Sequence, residues 1–180
     1  RFSNVDMQDH KDGAYALDKA KRAQWLEMEE FPPYELAVDE GRALFSVPFS
    51  NGESYASCFD DQGISVKQQF PKFDVASNSV ITLELAVNQC RQANNEPVLD
   101  YLGDEMGYIT AYMAFTSRGE LFDIQVPDAG LAAYEQGKQF FYERRGKLDF
   151  ACSSCHMTAA GNSLRAEVLS ASVGHATHWP

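Results

Sequence analysis

The sequence predicts a mainly α-helical chain in which two tandem, related units follow an N-terminal helical arm. Three observations predict it. Apolar residues recur at helical spacing through most of the 180 residues. A pattern of small residue, glycine and two large apolar residues occurs twice with identical spacing, at Ala37, Gly41, Leu44 and Phe45 and again at Ala133, Gly137, Phe140 and Phe141. Each copy then leads through a loop to cysteine, Cys58 in the first and Cys152 in the second. This division gives an arm over 1–33, a first unit over 34–120 and a second over 121–180.

In the arm, residues 13–30 read as an amphipathic helix. Ala14, Leu17, Trp25 and Met28 fall near one face, with Lys19, Lys21, Arg22 and Glu29 on others. Phe31-Pro32-Pro33 ends it, because proline lacks the amide a continuing helix needs. The first unit opens on a helix through Ala37 and Phe45. Its Gly41 costs about 1 kcal/mol of helix propensity relative to alanine, which is offset if a second helix crosses closely at that point. Thr82 is placed to cap a helix running to about Ala93 that carries Leu83, Leu85, Ala86, Val87 and Cys90. A further helix over Asp104–Thr116 is expected to turn Met106, Ile109, Met113 and Phe115 toward a core. The second unit has a helix over 131–143, then a short helix over 163–170 and a polar loop holding His175 and His178. No amphipathic helix follows to cross Gly137, so this unit is expected to be incomplete and the natural C-terminus to lie further on.

The run Cys152-Ser153-Ser154-Cys155-His156 has the form of a c-type haem attachment site. Each thiol adds to one vinyl group of the porphyrin, and His156 becomes the proximal iron ligand. A structural zinc site would need a second close pair of ligands, which Cys58 and Cys90 do not supply. A thioredoxin-type dithiol would need a strand before it, and here a helix precedes. The two units therefore read as cytochrome c-like domains from an internal duplication, with one covalent haem c in the second. The first copy has Tyr55-Ala56-Ser57-Cys58 followed by Phe59, without the second thiol or the histidine, so it is expected to be haemless. Met106 and Met113 are accordingly assigned to core packing. Met157 adjoins the proximal histidine, on the wrong side of the ring for the sixth ligand. His175 and His178 are the candidates to reach over the ring, or with Arg165 to line a substrate channel.

A formal charge of −11 and a pI near 4.7 argue against nucleic acid and anionic membrane surfaces as partners. No run of eighteen apolar residues exists, so no membrane span is expected. Covalent haem is attached outside the cytoplasm, which implies a periplasmic protein with Arg1 near a processed N-terminus. In that oxidising compartment Cys58 and Cys90, the pair not used by haem, are expected to form a disulfide. Within so acidic a chain, Arg144, Arg145, Lys147 and Arg165 are the best candidates for a local anion-receiving site.

With these features in place the chain resembles the SoxA family, the cytochrome subunit of the SoxXA complex of bacterial thiosulfate oxidation. The resemblance rests on Ser54-Tyr55-Ala56-Ser57-Cys58-Phe59 and on residues 82–91, 106–113 and 173–178. It implies the one-haem branch of the family, in which a disulfide stands in the first domain. It implies an enzyme that, with its cytochrome partner SoxX, joins thiosulfate to a cysteine of the SoxYZ carrier. The product is a cysteine S-thiosulfonate, and two electrons pass to haem and on to a downstream cytochrome c. The family's catalytic cysteine follows the His-rich loop. This chain has no cysteine after Cys155, so that group is expected beyond Pro180. A non-catalytic one-haem electron-transfer cytochrome is the alternative; a third is an interaction subunit that docks through its haemless domain.

Overall fold

The computed structural model describes residues 5–165 and 167–169. The arm departs from the expected single helix over 13–30. Gly13 adopts φ 57°, ψ −127°, a conformation glycine reaches without strain, and breaks the regularity of a 3-10 segment over Met7–Leu17. A new helix, α1 (Lys19–Met28), then starts because the Asp18 carboxylate accepts from the amides of Ala20 and Lys21 at 2.9 and 3.1 Å. None of the residues of α1 is buried. The arm is held instead at its end. Arg118 ion-pairs with Glu29 and donates to the Tyr34 hydroxyl at 2.9 Å, while Tyr34 donates to the Glu29 carboxylate at 2.6 Å. Burial raises the Tyr34 pKa and lowers that of Arg118.

The first unit is built on α2 (Glu35–Ser46), α3 (Leu83–Ala93) and α4 (Asp104–Thr116). The predicted close helix crossing is present between α2 and α4. A Cβ built on Gly41 would lie 1.9 Å from the Tyr108 carbonyl oxygen, so only glycine lets the two backbones meet there. Thr82 caps α3 as expected, accepting from the Leu85 amide at 3.2 Å. Phe45, Tyr55, Val66, Leu83, Val87, Met106, Ile109 and Met113 form the buried core. Phe115 does not join it and is 36% exposed. It lies nine positions after Met106, a half-turn out of phase at about 100° per residue, so it faces away from the stripe of Met106, Ile109 and Met113.

Sequence periodicity missed a hairpin between the first and second helices of this unit. Strand β1 (Lys72–Asp74) pairs antiparallel with β2 (Ser79–Ile81), Phe73 opposite Val80. The Asp74 carboxylate closes its turn by accepting from the Ser77 amide at 2.9 Å. Asn88, 3% exposed, pins the loop after α3: its amide donates to the Leu99 carbonyl at 3.0 Å and its carbonyl accepts from the Leu99 amide at 2.8 Å.

In the second unit a 3-10 turn over Asp128–Gly130 leads into α5 (Leu131–Tyr142). Gly130 seats this entry on the hairpin, since a Cβ there would be 2.9 Å from the Phe73 ring. The short helix expected over 163–170 is not formed in the described residues. Strand β3 (Ser163–Leu164) pairs with β4 (Glu167–Val168) instead, with Arg165 at φ 58° in the turn. So short a helix is marginal in isolation. The ladder gains the bonds from Gly161 to Leu169 and from Leu169 to Asn162, both 2.8 Å. Lys21 of the arm donates to the Ser163 hydroxyl at 2.7 Å, tying arm to hairpin. His175 and His178 lie outside the described residues. No helix among the described residues is long and apolar enough to cross a membrane.

Candidate haem-attachment site

The Cys-x-x-Cys-His run stands on a turn fixed from both sides. Before it, α5 ends where the Arg145 guanidinium donates to the Phe140 carbonyl at 2.6 Å and lies 3.4 Å from the Phe140 ring centroid. Arg145 and Phe150 then bridge through two backbone bonds of 3.0 and 3.2 Å around a turn with Gly146 at φ 72°. The buried Ala151 anchors the next step, its amide donating to the Ser154 hydroxyl at 3.1 Å. Over Ser154–Thr158 the chain widens into a π-turn that carries Cys155, His156 and Met157. Both thiols are free, Cys152 exposed and Cys155 half-buried.

Beside this turn lies a cavity of about 780 Å³ lined mainly by apolar side chains. The hairpin contributes Phe73 to it, α5 contributes Ala133, Gly137 and Phe141, and the π-turn contributes Met157. The Phe141 ring centroid is 6.5 Å from that of His156. Helix α5 buries none of its residues, and Tyr134, Phe140 and Tyr142 are each more than half exposed at 51%, 58% and 54%. At Gly137 a Cβ would meet nothing within 4 Å among the described residues, the opposite of Gly41. Two unbridged thiols, an adjacent imidazole and an apolar face uncovered among the described residues, with a cavity of this size, fit a covalently held porphyrin, which is large, flat and mostly apolar.

The four cations expected near the motif are not equivalent. Arg144 pairs with Asp149 at 3.0 Å and Arg145 with Glu143 at 3.3 Å. Among the described residues no ion pair is seen at Lys147 or Arg165. In the first unit, Cys58 and Cys90 are bonded, Cα atoms 5.6 Å apart, across 32 positions of sequence. Three features of the candidate site had no clear signal in the sequence. These are the π-turn, the hairpin wall that brings Phe73 to the cavity, and the Arg145 cap on α5.

Residues 40–122 match the family described as SoxA/TsdA, cytochrome c domain. That match falls on the unit without the haem motif and accords with its helical, cytochrome c-like build. The chain is 48% identical over 180 residues to the L-cysteine S-thiosulfotransferase subunit SoxA of Chlorobaculum tepidum, covering 99% of this chain and 63% of that protein. It is 45% identical over 183 residues to the subunit of the same name from Allochromatium vinosum, covering 100% of this chain and 65% of that protein. It therefore spans less than two thirds of these curated relatives. Among solved structures, the crystal structure of SoxXA from P. pantotrophus superposes with a TM-score of 0.66 at 27% identity, over 78% of this chain and 55% of the matched one.

Proposed function

The chain belongs to the SoxA family over the length it spans, and on that premise we propose that it carries the haem of a thiosulfate-oxidising cytochrome. In this reading Cys152 and Cys155 would hold one haem c through thioether bonds, and His156 would ligate its iron. The carrying observation is the free pair Cys152 and Cys155 on a turn beside the apolar cavity of about 780 Å³. Haem, when bound, supplies one-electron acceptance. Phe141 and Met157 would pack against it, and the hairpin's Phe73 would keep water from that side.

The reaction assigned is the coupling of thiosulfate with a carrier cysteine thiolate. A new sulfur–sulfur bond forms and two electrons leave. Lys147 and Arg165, which have no ion pair among the described residues, are the cations we assign to attract these anions. Arg144 and Arg145 act mainly through their own acids and the end of α5. No cysteine follows Cys155 in this sequence, so we assign no catalytic cysteine within residues 1–180. SoxX as heterodimer partner, the SoxYZ carrier as substrate, a downstream cytochrome c acceptor and a periplasmic location complete the reading. The names of the relatives, the likeness to the SoxXA crystal structure and the Cys58–Cys90 bond support it. The arm over 1–33, the haemless unit over 34–120, in which the bridge stands where the motif is absent, and the haem unit over 121–180 are our division of the chain. The match between the Gly41 and Gly137 helices is the basis for treating the two units as a duplication.

The test is expression with the c-type haem attachment machinery in a periplasm. Covalent haem, at one per chain, is expected by pyridine haemochrome absorbance and is expected to be lost in the double variant Cys152→Ser, Cys155→Ser. A chain that stays colourless under conditions that mature a control cytochrome overturns the reading. Reconstitution with SoxX, SoxYZ and thiosulfate then separates the enzyme from the alternative, a one-haem electron-transfer cytochrome, through formation of the carrier S-thiosulfonate.

A further inference from the structure

The Cys58–Cys90 bond is asymmetric. Cys58 is exposed, whereas Cys90 is 4% exposed on the inner side of α3. Both line an open cleft of about 630 Å³ in the first unit, with Glu53, Asp60, Lys72 and Asn94 at its polar positions. The Asn94 side-chain amide reaches both sulfurs, at 3.5 Å from Cys58 Sγ and 3.9 Å from Cys90 Sγ. Its orientation is fixed, because Asn94 Oδ1 accepts from Asn51 Nδ2 at 2.8 Å and Asn94 Nδ2 also donates to the Cys90 carbonyl at 2.9 Å. A disulfide with one exposed and one buried end, opening on a cleft in which a preset donor reaches both sulfurs, is arranged for exchange at the exposed end.

We propose that this bond is a thiol-exchange site for small uncharged or cationic thiols entering the cleft. The incoming thiolate attacks Cys58 Sγ. A new bond forms between the incoming sulfur and Cys58, the Cys58–Cys90 bond breaks, and the electron pair leaves on Cys90. No outside oxidant or reductant is needed, because one disulfide replaces another. Asn94 donates to the departing sulfur as its charge develops. Glu53 and Asp60 outnumber Lys72 around the cleft and disfavour anionic thiols. The buried core with Phe45, Tyr55 and Met113 includes Cys90 but not Cys58, so the sulfur that takes the incoming thiol lies outside the core and the departing one stays within it.

The test uses the haem-loaded chain, incubated natively with cysteamine, quenched with iodoacetamide and mapped by peptide mass. Cysteamine is expected on Cys58 and carbamidomethyl on Cys90, with at least a tenfold preference over the reverse pattern. N94L is expected to slow the exchange about tenfold, because a hydrogen bond to a developing charge is lost, and glutathione is expected to react more slowly than cysteamine. No adduct under native conditions, equal labelling of Cys58 and Cys90, or an unchanged rate in N94L each overturns the proposal. Failure of the haem reading shows separately, as labelling of Cys152 and Cys155.

Discussion

Gly41 of α2 faces the Tyr108 carbonyl of α4 so closely that a Cβ would stand 1.9 Å from the oxygen. The obstacle is backbone, so it yields only if the helices separate. Gly41→Ala is therefore expected to lower the stability of the first unit by about 3 kcal/mol or more, at the high end of overpacking costs. Gly137→Ala, with nothing among the described residues within 4 Å of the new methyl, is expected in the haem-free chain to be neutral or to stabilise by up to about 1 kcal/mol through helix propensity. Denaturant titration of both variants checks the contrast, and equal losses would refute it.

Asn88 holds both backbone groups of Leu99 while itself 3% exposed. Asn88→Ala leaves that amide and carbonyl without partners in a half-buried loop. A loss of about 2–3 kcal/mol is expected, with added amide exchange over 96–100. Asn88→Asp keeps the acceptor and removes the donor, so it is expected to restore part of the loss.

The Cys58–Cys90 bond closes a loop of 32 positions. On the chain-entropy account it contributes about 3–4 kcal/mol. The double variant Cys58→Ser, Cys90→Ala is expected to lower the melting temperature of the first unit while leaving haem content unchanged. A melting temperature equal to that of the parent would show that the bond does not staple the fold.

Glu96 joins the end of α3 to the loop after α2, accepting from the Ser50 amide at 2.8 Å and the Ser50 hydroxyl at 2.5 Å. These bonds favour the carboxylate and hold its pKa below the usual glutamate range. A lowered folded-state pKa means that its stabilisation is present above the ordinary glutamate value, roughly pH 4.3. It is lost as pH falls through the lower folded-state value. Glu96→Gln is expected to flatten this acid limb in unfolding measurements between roughly pH 5 and pH 3. An unchanged limb would assign it to other carboxylates.

Arg118 joins Glu29 and Tyr34 and lies 6.0 Å from the Trp25 ring centroid. Since α1 buries no residue, this is the main polar anchor seen for the arm. Arg118→Ala is expected to speed limited proteolysis before Phe31 and to leave the core over α2 and α4 resistant.

Much of the helical framework was legible because helices are local. The Thr82 cap, the stripe of Met106, Ile109 and Met113, and the span Asp104–Thr116 follow from spacings of three, four and seven residues. The same local reading failed where two helix signals compete. Asp18 and Gly13 split the arm, because a capping carboxylate and a left-handed glycine outweigh a weak apolar stripe. Phe115 was apolar but out of phase with the core. The cytochrome motif, the cysteine pairing and the acid charge were properties of the sequence by itself, since they depend on residue type and order. Only the tertiary structure decided what stands around them. It brought Phe73, Phe141 and Met157 to one cavity, set Gly41 against Tyr108 while leaving Gly137 bare among the described residues, and aimed the Asn94 amide at the sulfurs of Cys58 and Cys90. The physical reason is that such contacts join residues far apart in the chain, and their geometry is fixed by the packing of whole elements rather than by any local preference.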